Sequence, residues 1–500
     1  MRHIHLTTFV AGAFGVLFAG CNDGSGGGGG AAAPVSAGPP APAPAAPAPA
    51  PPDPAPATPA PTDPAPTPTD PLDVQLRAAL SGAGITAIEA RASESAELIA
   101  LGEALFFDKE LSGNRNISCA SCHHPNAASA DGLPLSLGEG ASGTAPNRTG
   151  TTDQVIARNA PALWHVGAAG VQSMFWDSRV RRDDATGVLT TPEPALNGAA
   201  PTRDDIASQL TSALAAQALF PVGSHEEMRG DAGSNELADA ATNEELWALL
   251  MARLVGTSNG TVGGIDGYRT LFQAAFPGLT FDELNFGHAG RAIAAYEASA
   301  FAKFDSPLQS YLQGDDGALT DPAKRGGLLF TGAARCANCH DGPLLSDFDH
   351  HALAVPQLGP GAGGEPDDRG LALETGTTAD DYRFRTPPLI NVELTGPYFH
   401  SGAFQTLGDV LRHYNDPDGS IRNYDPDAEL PAFFRPLVDT DAARIAARIA
   451  AVDPIVGGGI RINQGDRQDL LAFLRALTDP AARTPVPVPA TVPSGLAVAD

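Results

Sequence analysis

The chain has 500 residues, of which 43% are hydrophobic and 18% charged, with a formal net charge of −27 and five cysteines. That length admits two or three domains with real cores. So large a surplus of acid argues against nucleic acid or an anionic membrane surface as a partner, and suits an encounter with a basic redox protein.

The predicted elements run as follows. Met1 to Gly20 carries Arg2, an apolar run through Phe18, and Ala19-Gly20 before Cys21. This is a secretory signal over residues 1–21, and its apolar run is short for a membrane span. It resembles a bacterial lipoprotein signal, in which Cys21 becomes the lipidated first residue; ordinary cleavage nearby is the other outcome. Either way the expected location is the periplasm or cell envelope, with any membrane attachment made through the lipid on Cys21. Residues 22–72 are rich in Gly, Ala and Pro and read as a semi-extended linker. Helical spacing of apolar residues predicts helices over 85–107, 244–254, 281–304, 323–330, 407–414 and 467–477. Connections rich in Gly, Pro, Asn and Asp separate them. Residues 481–500, again rich in Pro, Val and Ala, are expected to be a disordered tail.

Two motifs carry the chemistry. Cys119-Ala-Ser-Cys122-His123 and Cys336-Ala-Asn-Cys339-His340 each have the Cys-x-x-Cys-His pattern of c-type haem attachment. The thiols add across the haem vinyl groups, and the adjoining histidine reaches the iron. A structural zinc site could use two Cys-x-x-Cys pairs, but it needs no histidine directly after both. Two covalently bound haem c groups are therefore expected. Leu105-Phe106-Phe107 precedes the first motif and Leu328-Leu329-Phe330 the second, which suggests related units. The expected fold is mostly α: two cytochrome c-like haem domains with long irregular loops. An N-terminal haem c domain spans 73–310, a C-terminal haem c domain spans 311–480, and a hinge lies over Ser306–Asp315.

Further blocks surround these motifs. Ile117-Ser118 precedes Cys119, and Asp131-Gly132-Leu133-Pro134 and Arg158-Asn159-Ala160-Pro161 follow. Phe175-Trp176-Asp177-Ser178-Arg179, Gln217-Ala218 and Glu227-Met228 come next. The second half holds Phe384-Arg385-Thr386-Pro387, Asn391-Val392-Glu393-Leu394-Thr395 and Pro397-Tyr398-Phe399-His400. In this order the blocks resemble the bacterial di-haem cytochrome c peroxidases and their relative MauG, a tryptophan-modifying enzyme, over nearly all of residues 98–478.

The resemblance implies a set of roles. Glu227 would be the distal acid–base group, moving a proton between the two peroxide oxygens. Gln217 would bind peroxide or order a water, and Glu226 competes with Glu227. Trp176 would bridge the two haems. Asn159, Thr395 and Pro397 would ligate a calcium ion through oxygen atoms. Among family peroxidases a homodimer is common. At the second iron the peroxidases use methionine. Here all four methionines (Met1, Met174, Met228 and Met251) precede the second motif. Tyr414 stands at the matching position, where MauG has tyrosine, and His413 is its competitor.

Two departures matter. Glu139 stands where gated relatives carry the histidine that caps the first iron, which implies an open first site unless His124, His165 or His225 caps it. An insertion over Val180–Ala216 is expected to form surface loops beside the active site. Three functions are compatible with this set. The first is an exported peroxidase, reducing hydrogen peroxide with electrons from a small redox protein. The second is a MauG-like oxidase of a protein substrate. The third is a non-catalytic electron-transfer cytochrome, against which the Gln217/Glu227 pair argues.

Overall fold

A computed structural model describes residues 70–256 and 263–498. The signal, Cys21 and the linker through residue 69 lie outside the described residues. No helix among those described is long and apolar enough to cross a membrane.

Nine helices of nine or more residues are found among the described residues: α1 (Pro71–Gly82), α2 (Ala96–Phe107), α3 (Asn243–Val255), α4 (Asp266–Ala275), α5 (Phe286–Ala300), α6 (Asp321–Thr331), α7 (Leu407–Asn415), α8 (Ala442–Ala450) and α9 (Gln464–Arg475). Local chemistry sets their ends. The Asp70 carboxylate accepts the Leu72 N–H at 2.8 Å and proline opens α1, so the last two residues of the expected linker are helical. The Ser95 hydroxyl caps α2, which therefore starts at residue 96 and not at 85. Asn285 caps α5 by accepting the Gly287 N–H at 3.0 Å, which shortens the expected 281–304 helix.

The same helix pair is built twice. In the first half α2 packs on α5, and a Cβ on Gly102 would overlap the Ala292 carbonyl oxygen. In the second half α6 packs on α9, and a Cβ on Gly326 would overlap the Asp469 carbonyl oxygen. Only glycine allows such close helix backbones. Four residues after each glycine a buried phenylalanine meets the partner helix. Phe106 lies 5.2 Å from Tyr296 and Phe330 lies 5.1 Å from Phe473, between ring centroids. Each buried ring contributes about 1.5–3 kcal/mol by leaving water. Each pair then delivers its Cys-x-x-Cys-His motif on the following loop.

The halves interlock. Leu133, Leu135, Leu137 and Val155 share a core with Val355, Leu358, Phe404 and Phe434. The expected hinge is helical over Pro307–Leu312, and buried Gln309 accepts the Ile88 N–H at 2.9 Å. A flexible joint would leave such groups in water.

Two expectations are corrected. The Val180–Ala216 insertion is more than surface loops. Strands β1 (Ser173–Met174), β2 (Val180–Arg182) and β3 (Leu189–Thr190) form an antiparallel sheet with Met174 opposite Val180 and Arg181 opposite Thr190. Leu189, Leu196, Ile206 and Leu210 join the main core. Of the expected tail, residues 481–498 are described and are ordered against the body. Val492 is buried, and Ser494 donates from Oγ (2.6 Å) and N (3.1 Å) to the buried Asp108 carboxylate. Asp108 also accepts from the Glu110 N–H at 3.0 Å and the Tyr268 hydroxyl at 2.8 Å, so Ser494 adds to a carboxylate that already has partners. A second small sheet pairs β4 (His350–Ala352) with β5 (Arg383–Arg385), His351 opposite Phe384.

Candidate functional site

The first motif forms one helical turn, Cys119–Cys122, opened by a Ser118/Ser121 capping box. The His123 Nδ1 faces the Ser129 carbonyl at 3.3 Å, and burial lowers its pKa. A neutral ring that donates from Nδ1 leaves Nε2 as a metal ligand. At the second motif the His340 Nδ1 meets the Leu345 carbonyl at 2.9 Å, and burial again favours the neutral ring. No disulfide joins the four motif cysteines. Burial pushes the Cys119 thiol far up, and the charges of Glu297, Cys122 and Glu227 add to it.

Glu227 sits on a π-helical turn, His225–Arg229, where the Ser224 hydroxyl accepts its N–H at 3.3 Å. Such turns recur at functional sites. Its carboxyl is pushed above the ordinary range by burial, against the opposing pull of Arg179 and Arg158. Its competitor differs: the Glu226 side chain is 52% exposed and lies 3.7 Å from His225, itself 61% exposed. His225 thus faces solvent. His165 is buried, with its Nε2 unpartnered and its pKa pushed down to about 3 by burial and by Arg385. The His124 Nδ1 accepts the Asn126 N–H at 3.1 Å. Gln217 ends the short helix Ala213–Gln217 and is half-buried.

Between the motifs runs a buried polar seam. The Arg158 guanidinium grips Asp368 through Nε (2.6 Å) and Nη2 (2.9 Å), and Asp177 through Nη1 (2.5 Å). Burial would raise the Asp177 carboxyl, but Arg158 and Arg179 hold it at about 2. This seam fixes Trp176. Its Nε1 donates to the Asn159 carbonyl at 2.9 Å, and its own carbonyl accepts the Arg385 N–H at 2.8 Å. The His400 and Trp176 rings meet edge-to-face with centroids 6.4 Å apart, and His400 stacks on Phe384 with centroids 3.5 Å apart.

Trp176, His400 and Phe384 line a largely apolar cavity with Cys336, Cys339, His340 and Tyr414. Its empty space, mouth included, is about 1480 Å³. Tyr414 faces the motif closely enough that, after burial, Cys339 and Cys336 contribute to raising its pKa. His413 does not line the cavity. Its Nδ1 meets the Ser420 hydroxyl at 3.0 Å and its Nε2 the Leu353 carbonyl at 2.8 Å, so both nitrogens are engaged.

The cavity fits a haem on a test independent of the motif. Arg385 and Arg448 both line it, are 4% and 3% exposed, and each leaves a buried Nη1 without a partner. Buried guanidinium donors seek anions, and haem brings two carboxylates to an otherwise apolar slot. Neither arginine was singled out from the sequence. Arg385 stood inside a quoted block without a role, and Arg448 sits on α8, where nothing local marks it. Glu297 was also missed: its carboxyl is pushed up to about 8 by burial, and one oxygen has no partner.

At the expected calcium ligands, the Asn159 amide nitrogen is spent on the Leu133 carbonyl at 2.8 Å, and the Asn159 N–H on the His400 carbonyl at 2.7 Å. The Thr395 and Pro397 carbonyls accept no backbone hydrogen bond among the described residues. Cys339, Asp347 and His351 also gather closely, but His351 is held by Asp347 at 3.1 Å and Asp453 at 2.9 Å, and the Cys339 sulfur belongs to the haem motif.

Residues 96–317 match the family model for di-haem cytochrome c peroxidase. The chain is 30% identical to cytochrome c551 peroxidase of Pseudomonas aeruginosa over 312 residues, 62% of this chain and 69% of that protein. It is 27% identical to the methylamine utilization protein MauG of Methylorubrum extorquens over 389 residues, 78% of this chain and 80% of the relative. Among solved structures, a MauG-like protein associated with microbial copper homeostasis superposes with a TM-score of 0.52 at 26% identity, covering 80% of this chain and 95% of that one. The diheme peroxidase BthA of Burkholderia thailandensis superposes with a TM-score of 0.50 at 25% identity, covering 81% and 90%. The paired haem-attachment motifs, the twice-built helix pair and these relationships have one reading: the chain belongs to the di-haem cytochrome c peroxidase/MauG family, oxidoreductases that act on peroxide and carry two haem c groups.

Proposed function

We propose that this chain is an exported di-haem peroxidase that reduces hydrogen peroxide to two waters at the His123 site, with electrons arriving from the His340 site. The observation that carries this reading is Glu227, a carboxyl of raised pKa within electrostatic reach of Cys119. A haem held by Cys119, Cys122 and His123 would supply the iron for peroxide binding and electrons for O–O cleavage. Glu227, when ionised, would take a proton from one peroxide oxygen and return it to the other, so that water could leave. Gln217 orients the peroxide or a water beside it. Trp176 carries the electron between the halves, 73–310 and 311–480, its orientation supported by the Asn159 and Arg385 hydrogen bonds. Cys119, Cys122, Cys336 and Cys339 bind the two haems. Calcium on Asn159, Thr395 and Pro397 would tie the halves together at this seam. The donor is a small redox protein, and Cys21 is the lipid anchor in the periplasm or cell envelope.

A MauG-like oxidation of a protein substrate is the second reading, and Tyr414 favours it. It lines the cavity at the second motif, whereas both nitrogens of His413 are engaged elsewhere. An anionic phenolate ligand lowers the potential and favours oxidised states. Mixing the oxidised protein with peroxide, without reductant, separates the two. Rapid formation of a long-lived oxidised species points to a protein substrate. A reaction that waits for one-electron reduction points to the peroxidase. Replacing Glu227 with Gln should suppress the peroxide reaction with both haems still attached; an unchanged rate removes Glu227 from the chemistry.

A further inference from the structure

Glu139 lies in the loop that follows the first motif, and its carboxylate does not stand free. One oxygen, Oε1, accepts from both Asn114 Nδ2 at 2.7 Å and Asn116 Nδ2 at 2.6 Å. The Glu139 N–H donates to the Glu226 carbonyl at 2.9 Å. The preceding Gly138 rests directly on that carbonyl, where a Cβ would overlap it. The adjoining segments close the circuit. Gly113 N–H donates to the Met228 carbonyl at 2.8 Å, and Asn235 Nδ2 bridges the Asn114 side-chain oxygen (3.1 Å) and the Arg229 carbonyl (3.0 Å). Glu139 therefore joins two segments that are distant in sequence. One is the approach to the first haem motif, since Asn116 stands three residues before Cys119. The other is the π-helical turn that carries Glu227.

We propose that Glu139 is a positioning residue that clamps the Glu227 turn against the first haem-attachment segment; this rests on the reading of Glu227 as the acid–base group. The physical basis is direct. A π-helical turn has weaker internal hydrogen bonding than an α-helix, and this one is held from outside at the Glu226, Met228 and Arg229 carbonyls. A charged acceptor shared by two amides is a strong tie. Proton transfer is steep in distance, so a loosened turn slows the chemistry without abolishing binding. The carboxylate is engaged with Asn114 and Asn116 and serves as a tie in the protein, not as an iron ligand.

The test uses the full di-haem protein. Glu139→Ala should lower kcat for peroxide by about tenfold or more, with KM little changed and haem content intact. Glu139→Gln should restore most of the rate, because an amide oxygen still accepts both asparagine donors. The double variant Asn114→Ala/Asn116→Ala should reproduce the defect, and it decides the matter if Glu139→Ala does not fold. Wild-type kcat in Glu139→Ala, or in the asparagine pair, overturns the clamp. So does a Glu139→Gln variant as slow as Glu139→Ala, since charge and not hydrogen bonding would then be at work. Glu227→Gln is measured alongside. If it is slow while Glu139→Ala is not, the clamp fails and the acid–base reading stands. If Glu227→Gln keeps its rate, the acid–base reading falls and takes the clamp with it.

Discussion

Replacing Arg158 with Met tests whether the polar seam holds the two halves in register. Arg158 is 9% exposed, and its guanidinium makes three hydrogen bonds of 2.5–2.9 Å to Asp368 and Asp177, which are 1% and 3% exposed. Removing one partner of a buried ion pair leaves uncompensated charge, which costs about 3–5 kcal/mol. For a folded body of this size, that lowers Tm by roughly 3–6 °C. The loss should depend on pH. In the native protein Asp177 is held at about 2 and Asp368 is held below its ordinary value. Depressed carboxyls add stability that is present above the unfolded carboxylate pKa and is lost as pH falls through the folded one. Without Arg158, Asp368 loses its main cation while Arg179 still faces Asp177, so Asp368 protonates readily. The Tm gap between variant and wild type should then be widest near pH 7 and close toward pH 4. Adding Asp368→Asn should recover part of the loss at pH 7. Differential scanning calorimetry of the haem-loaded protein across pH reads all three. An Arg158→Met variant with wild-type Tm at pH 7, or a gap that does not change with pH, would refute the reasoning.

Three further outcomes follow from the site. Glu227 must be ionised to accept a proton, and burial raises its pKa, so kcat/KM for peroxide should rise with pH along a limb above the ordinary carboxylate range. Arg179→Gln removes an opposing cation and should move that limb to higher pH; an unmoved limb would assign it to another group. Tyr414→His should raise the midpoint potential of the second haem and alter its absorption spectrum, measured by spectroelectrochemistry; an unaltered spectrum means Tyr414 is not the ligand. Glu297 is buried with its carboxyl pushed up to about 8, so the folded state holds its proton and stability falls as pH rises from the unfolded carboxylate pKa through that value. Glu297→Gln should match wild-type Tm near pH 4, draw ahead as pH rises and exceed it most at pH 9, and equal melting at pH 9 would show that the carboxyl is solvated.

Local chemistry was legible in the chain. A Cys-x-x-Cys-His motif is complete within five residues, and the helices after Thr242, Thr320 and Thr406 start near where those capping side chains put them. The ordered blocks around the motifs were equally readable, because each is a short run. Where neighbouring residues had the same chemistry, the sequence left the choice open. Glu226 and Glu227 are adjacent carboxylates, and His413 and Tyr414 are adjacent ligand types. Burial distinguishes the first pair, and the hydrogen-bond partners of His413 distinguish the second. Asp70 and Ser95 moved two helix boundaries by capping choices that apolar periodicity does not register.

By itself the sequence determined what depends on neighbours along the chain: where haem can attach, that no methionine follows the second motif, and that Glu139 stands in the loop after the first. Tertiary structure decided what depends on residues far apart in number. It brought Arg385 and Arg448 to one cavity, Arg158 to Asp368, Glu139 to Asn114 and Asn116, and Ser494 to Asp108. Each of these contacts joins residues more than twenty positions apart, and no local window of sequence records such a partner.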